Sequence, residues 1–187
     1  MLGLVQLPYP EPELTYGLVS LRRWALTDVD CVRLAATDQR IPRGTTVPAV
    51  FSPEEGRAFI ERQWGRQTGG EGLSLAIASD GQASGMICAL FRSQAGVVGI
   101  GYFVVPPARG HGYAQRAIKL LSTWLLRVTP TTRVEAIVEP HNLPSRRSLE
   151  RCGFVEEGTL RQYLAGQHDV VSYSLLLSDL DGLAGAP

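Results

Sequence analysis

Val97-Val-Gly-Ile-Gly-Tyr-Phe-Val-Val-Pro-Pro-Ala-Arg-Gly-His-Gly-Tyr-Ala-Gln-Arg-Ala117 is the stretch whose reading decides the fold. Ile100, Tyr102 and Val104, with Phe103 and Val105 among them, form an apolar run that predicts a strand packed on both faces. Pro106 and Pro107 stop it, because neither can donate to a ladder. Apolar residues at 114, 117, 118, 121, 125 and 128 then predict an amphipathic helix. A strand, a glycine turn and a helix start bring backbone N–H groups and the positive end of a helix to one point. Such a point suits an anion, phosphate above all.

Gly110 and Gly112 also suit a plain strand-to-helix corner, since glycine tolerates positive φ, and the glycines alone do not separate the two readings. A dinucleotide fingerprint needs a small residue where Gln115 stands, and it usually opens the first βαβ unit of a chain. A phosphate-loop NTPase needs Gly-Lys-Ser/Thr, which is absent. Both nucleotide readings fit poorly.

Arg109-x-x-Gly112-x-Ala114 after an apolar strand resembles the Q/R-x-x-G-x-G/A acyl-CoA signature of the GNAT acetyltransferase superfamily. The wider segment GYFVVPPARGHGYA is similar to the branch that includes the ribosomal-protein N-terminal (RimJ/RimL-like) acetyltransferases. A second block, Val138 to Ser145 running on to Gly153-Phe154, resembles that branch's Asn-x-x-Ser helix start and the Gly-Phe after the helix. Glu157-Gly158-x-Leu160-Arg161 and Asp169 to Leu176 follow it too. The resemblance covers roughly residues 16–177 and is strongest over 101–161.

With 187 residues the chain is long enough for one domain with a proper core. A hydrophobic content of 44% and a charged content of 19% fit a soluble globular protein. Basic and acidic residues each number 18, so no global field recruits nucleic acid. Cys31, Cys88 and Cys152 are an odd number and far apart, which argues against a disulfide framework and for a reducing compartment. His111, His141 and His168 lack the spacing of a metal site. Residues 1–14 have no basic n-region, prolines interrupt them, and no stretch approaches a membrane span. A cytoplasmic protein is expected, with no nucleic acid, membrane or metal among its partners.

Residues 1–14 read as a proline-rich arm, 15–178 as one domain and 179–187 as a loose tail. Within the domain, Tyr16 to Arg23 alternates as a first strand. Thr27 or Asp28 can cap a helix to about Asp38, and Arg40 to Phe51 reads as irregular. Ser52 with Pro53 starts a helix to about Arg66. Leu73 to Ala78 and Ala83 to Phe91 are strands joined at Asp80-Gly81, a strong hairpin signal. Beyond the long helix come a strand at Arg133 to Val138 and a helix at Asn142 to Arg151, with Gly153 after its end. Phe154 to Tyr163 and His168 to Leu177 close the chain as a pair across Ala165-Gly166. The order predicts an α/β (α+β) fold with a mixed sheet. The resemblance implies the GNAT arrangement: a mostly antiparallel, twisted sheet of about seven strands with about four helices, and a central parallel pair that splays. Edge-strand pairing into a homodimer is compatible with this order.

Acyl transfer from a thioester to an amine requires that the donor be held, the developing oxyanion stabilised, and protons moved from the amine and to the sulfur. The resemblance implies acetyl-CoA, or another acyl-CoA, as co-substrate and an amine acceptor that it does not identify. It makes Gly110, His111, Gly112, Tyr113 and Ala114 a backbone cradle for the diphosphate, with Arg109 as a phosphate contact. The backbone of Phe103, Val104 and Val105 is expected to pair with the pantetheine arm, an N–H near Val104 polarising the thioester carbonyl. Asn142 is both a natural N-cap and, by resemblance, a pantetheine contact. Ser145, one turn on, is placed to protonate the leaving thiolate, and Arg147 to touch the adenine or its phosphate. Relatives often carry a glutamate where this chain has Gly99. Glu135 and Glu139 alternate onto one side of the next strand, and Glu135 is the candidate catalytic carboxylate, with Glu139, His141, Tyr163 and a water relay as open alternatives. Cys152, at a helix C-terminus, reads as a buried thiol.

Overall fold

In the computed structural model, which describes residues 6–164 and 167–184, Val97–Ala117 is a strand, a 3-10 turn at Pro106–Ala108, and the start of a helix. The strands in chain order are β1 (Leu14–Tyr16), β2 (Val19–Arg22), β3 (Gly72–Ser79), β4 (Gln82–Phe91), β5 (Val97–Val104), β6 (Arg133–Val138), β7 (Val155–Leu164) and β8 (His168–Leu176). The helices are α1 (Val29–Ala36), α2 (Arg40–Gly44), α3 (Pro53–Thr68), α4 (Tyr113–Val128), α5 (Leu143–Arg151) and α6 (Leu177–Ala184). The strands form one open, mixed sheet. Contacts group the described residues into two units, one up to Leu90 together with Gly101–Leu120, the other Phe91–Ile100 together with everything from Leu121 on. Strand β5 and helix α4 each run through both.

In the first unit the strand order is β1-β2-β3-β4-β5. The β3–β4 hairpin turns through two residues, since Ser79 registers with Gln82, and both Asp80 (φ 51°) and Gly81 (φ 78°) are left-handed. That is the primed turn whose twist matches the flanking strands. Helix α3 starts where the Ser52 hydroxyl accepts the Glu55 amide at 3.2 Å, with Pro53 in its first turn. Its Phe59 and Ile60 pack with Trp24, Val32, Ile41, Met86, Phe103 and Val105 in one core. Trp24 meets Phe59 edge to face, ring centroids 5.5 Å apart.

In the second unit the order is β5-β6-β8-β7. β5 and β6 are parallel, with paired register from Val97↔Arg133 to Gly99↔Glu135, and α4 is the crossover that a parallel pair demands. Helix α5 ends as its glycine predicts. Gly153 is left-handed at φ 89°, its N–H reaches the Glu150 carbonyl at 3.0 Å, and the Phe154 N–H reaches the Leu149 carbonyl at 3.1 Å. Leu149 and Phe154, both buried, stand at the two positions whose apolar contact commonly accompanies this cap.

The structure has the expected mixed, mostly antiparallel sheet with its central parallel pair, and differs from the sequence reading in local detail. Among the described residues the sheet has eight strands where about seven were expected: the first strand, read from Tyr16, is β2, and left-handed Gly17 (φ 59°) turns the chain between it and the short β1 ahead of it. The described residues hold six α-helices where about four were expected. The stretch read as irregular after Arg40 contains α2, anchored by buried Ile41. The stretch read as a loose tail contains α6, where Asp179 accepts the Leu176 amide at 2.8 Å and Leu180 is buried. Asp28 precedes α1 without capping it. Its carboxylate turns back to the Ala25 amide and to a two-pronged pair with Arg22, each bond 2.8 Å. Val128, expected on the buried stripe of α4, is exposed at its end. The expected turn at Ala165-Gly166 lies outside the described residues.

Candidate functional site

The turn after β5 belongs to the first unit and is built to show amides. Gly110 (φ 84°) and Gly112 (φ 74°) are both left-handed, a conformation that side chains resist. Three nearby carbonyls are tied by side chains. Arg109 Nε donates to the Val104 oxygen at 3.0 Å, Arg116 Nη1 donates to the His111 oxygen at 3.0 Å, and the His111 ring lies 3.3 Å from the Ala108 oxygen. The first bond of the α4 ladder is Arg116 N–H to the Gly112 oxygen at 3.1 Å, so the amides of Tyr113 and Ala114 precede the ladder. A Cβ on Gly110 would meet nothing within 4 Å. An anion therefore finds room, donors, a helix N-terminus and two arginines in one place. The Tyr113 ring stacks on His111 at 5.5 Å, and its hydroxyl accepts from Ser79 at 3.1 Å, which keeps both rings as struts of the turn.

Alternation along the end of β5 sorts the three residues expected to meet the pantetheine. The Val105 amide donates to the Ser84 oxygen at 3.0 Å, and the Phe103 carbonyl presses on Gly85, so both residues direct their backbone groups at β4. Val104, one residue out of phase, directs its amide and carbonyl to the other side. Its carbonyl is the one held by Arg109. Of the three, Val104 alone aims its N–H away from β4.

The remaining candidates belong to the second unit. Asn142 caps α5, its side-chain oxygen accepting the Ser145 amide at 3.4 Å while its carbonyl accepts the Arg146 amide at 3.2 Å. Ser145 is half-buried on the first turn, and Arg147 is exposed. Glu135 lies in an arginine clamp: Oε1 accepts from Arg133 Nε at 2.8 Å, and Oε2 is 3.9 Å from Arg92 Nε. Glu139 lies 3.4 Å from His141 Nε2. Cys31, Cys88 and Cys152 are free thiols and buried, and burial pushes the Cys31 thiol up to about 12. Among the described residues no cluster of His, Cys, Asp or Glu could hold a metal, and no helix is long and apolar enough to cross a membrane.

Sequence reasoning passed over three charged residues. Asp38 lies 2.6 Å from Arg109 Nη2. Arg92 covers Gly99. Arg146, rather than its neighbour Arg147, joins a network with the Tyr173 hydroxyl at 3.0 Å and Glu156 at 2.9 Å. Burial holds the Tyr173 phenol above its ordinary value. Each of these contacts is made between different elements of the fold, and no sequence motif announces them.

A family model described as an acetyltransferase (GNAT) domain matches residues 19–155. "Putative ribosomal N-acetyltransferase YdaF" of Bacillus subtilis (strain 168) is 33% identical over 131 residues, covering 67% of this chain and 72% of that one. Among solved structures, Mycobacterium smegmatis RimJ in complex with CoA-disulfide matches with a TM-score of 0.77 at 24% identity, over 90% of this chain and 87% of that chain. The Microcin C7 self immunity acetyltransferase MccE, in complex with acetyl-CoA and AMP, matches with a TM-score of 0.75 at 22% identity, over 87% and 94%. The family match takes in the glycine turn and the Asn142 cap alike, and the chain belongs to the GNAT family of acetyltransferases.

Proposed function

We propose that the protein moves an acetyl group from acetyl-CoA to a primary amine, by direct attack of the amine in a ternary complex. The observation that carries this reading is the turn at residues 109–114, where left-handed glycines and side-chain-bound carbonyls leave amides facing outward. The Gly110–Ala114 amides hold the diphosphate and Arg109 pairs with it. The Val104 N–H polarises the thioester carbonyl and stabilises the charge that develops on its oxygen. The amine nitrogen bonds to the carbonyl carbon as the carbon–sulfur bond breaks. Ser145 gives its hydroxyl proton to the departing thiolate, Asn142 positions the pantetheine, and Arg147 reaches the adenine end. Glu135, through Oε2, takes the amine proton directly or through water.

The acceptor class to try first is a protein N-terminus, given the similarity to a relative named as a ribosomal N-acetyltransferase; small-molecule amines come second. The test is thiol release from acetyl-CoA and succinyl-CoA with a panel of N-terminal peptides, polyamines and amino-bearing metabolites. Acetyl-dependent release with one amine class is expected. Tight CoA binding with no release from any amine points to a second reading, a CoA-binding sensor. That reading has one observation in its favour: a guanidinium, not a carboxylate, fills the space at Gly99.

A further inference from the structure

The carboxylate of Asp38 follows α1 and precedes α2, far in sequence from the glycine turn, yet it is one of the two groups that grip Arg109. Its side chain is only 10% exposed. Oδ1 accepts the Arg40 amide at 2.9 Å, and Oδ2 lies 3.2 Å from Arg40 Nη2 and 2.6 Å from Arg109 Nη2. The same guanidinium donates through Nε to the Val104 carbonyl at 3.0 Å. An arginine carries five N–H donors in one rigid plane. Two anchors, on Nε and Nη2, set the direction of that plane. The two contacts of the guanidinium seen among the described residues run through Nε and Nη2, and neither uses Nη1.

We infer that Asp38 is a positioning residue for the acyl donor. It holds Arg109 so that the Nη1 edge is presented to the donor's diphosphate, and it ties that grip to the α1–α2 segment. This inference rests on the proposed acyl-CoA reading. An exposed arginine left to itself samples many rotamers, and fixing it on binding costs conformational entropy. A carboxylate that is held in place by the Arg40 amide, and therefore cannot follow the guanidinium into solvent, removes that cost before the donor arrives. The Asp38–Arg109 pair also keeps the end of β5 in register with the turn, because the same arginine is bonded to Val104.

The experiment compares acetyl-CoA with S-acetylpantetheine, which lacks the diphosphate together with the 3′-phosphoadenosine attached to it. Asp38→Asn keeps an oxygen for the Arg40 amide and so protects the fold, while Asp38→Ala removes both oxygens; circular dichroism checks that each is folded. The KM for acetyl-CoA is expected to rise about tenfold in Asp38→Ala, equivalent to about 1.4 kcal/mol, and less in Asp38→Asn. The loss with S-acetylpantetheine should be several-fold smaller. The double variant Asp38→Ala/Arg109→Ala should bind CoA no worse than Arg109→Ala alone, because Asp38 acts only through Arg109. Equal losses with both donors, or additive losses in the double variant, overturn the inference and make Asp38 a structural residue. A wild-type protein that neither binds CoA nor releases thiol from either donor removes the acyl-CoA reading and this inference with it.

Discussion

The guanidinium of Arg92 occupies the place where a side chain on Gly99 would stand. Parallel pairing sets Gly99 beside Glu135, so this glycine lets an arginine reach across β5 toward that carboxylate, Nε to Oε2 at 3.9 Å. Gly85 is crowded in a different way, against the backbone carbonyl of Phe103. The two glycines separate a movable neighbour from a fixed one. Gly99→Ala should cost within about 1 kcal/mol, because Arg92 swings aside. Gly85→Ala should cost about 3 kcal/mol or more, because strand β5 itself must shift. Urea denaturation of both variants checks this, and equal losses would mean that Arg92 is locked as firmly as the backbone.

The glycine turn makes a sharper demand. At Gly112 the nearest atom to an added Cβ is Arg116 Cζ, 4.0 Å away, so space is not the limit and conformation is. Gly112→Val forces a β-branched residue to φ 74°, at a cost of about 1–3 kcal/mol, or else flips the amides out of the cradle. Either outcome should raise the CoA Kd at least about tenfold, which is about 1.4 kcal/mol, in a protein that still unfolds cooperatively. Calorimetric titration reads it. An unchanged Kd in a folded variant would move the diphosphate to another part of the surface.

How much of this was legible beforehand follows the range of the interactions. The Ser52-Pro53 start of α3, the Asn142 cap, the Asp80-Gly81 hairpin and the Gly153 stop are all settled within a few residues, and sequence reading found each. β1 is three residues long and α2 five, too short for any periodicity to show. α6 is held by the tertiary docking of Leu180 and by Asp181 against Arg127 at 2.6 Å, neither of which a local window contains. The same limit applied to the site. The glycine motif was plain, whereas the anchoring of Arg109 by Asp38 and the arginines around Glu135 appear only once the chain has folded.

Ser145 offers a test that keeps binding and chemistry apart. Its amide, not its hydroxyl, completes the Asn142 cap, so Ser145→Ala leaves that bond in place. A thiolate is a fair leaving group, since an ordinary thiol ionises near about pH 8.5. Loss of its proton donor should therefore cost about tenfold to a hundredfold in kcat, at the low end of general-acid effects. The CoA Kd should move less than about threefold, well under 1 kcal/mol. Asn142→Ala should show the converse, with about 1 kcal/mol of stability lost from the cap and weaker CoA binding. Full turnover in Ser145→Ala would assign the thiolate's proton to another donor.

Arg133 joins two carboxylates, Glu135 through Nε at 2.8 Å and Glu157 through both terminal nitrogens, with the Ser174 hydroxyl donating to Glu157 at 2.9 Å. The hydrogen bonds from Arg133 hold the Glu157 carboxyl below its ordinary value. A carboxylate whose folded value is depressed stabilises the protein above its unfolded value, about 4.3, and that contribution is lost as pH falls through the lower, folded value. The melting temperature should therefore drop more steeply between about pH 4.5 and 3 in the wild type than in Glu157→Gln. The difference should be small, because the Glu157 side chain is 40% exposed and water screens the pair. It should shrink further in high salt if the pair is electrostatic. Arg133→Met should flatten the same part of the curve, since the depression comes chiefly from that guanidinium. A wild-type slope retained in both variants would place the acid sensitivity elsewhere, with Asp38, which its Arg40 and Arg109 partners hold far below the carboxylate range, as the next group to substitute.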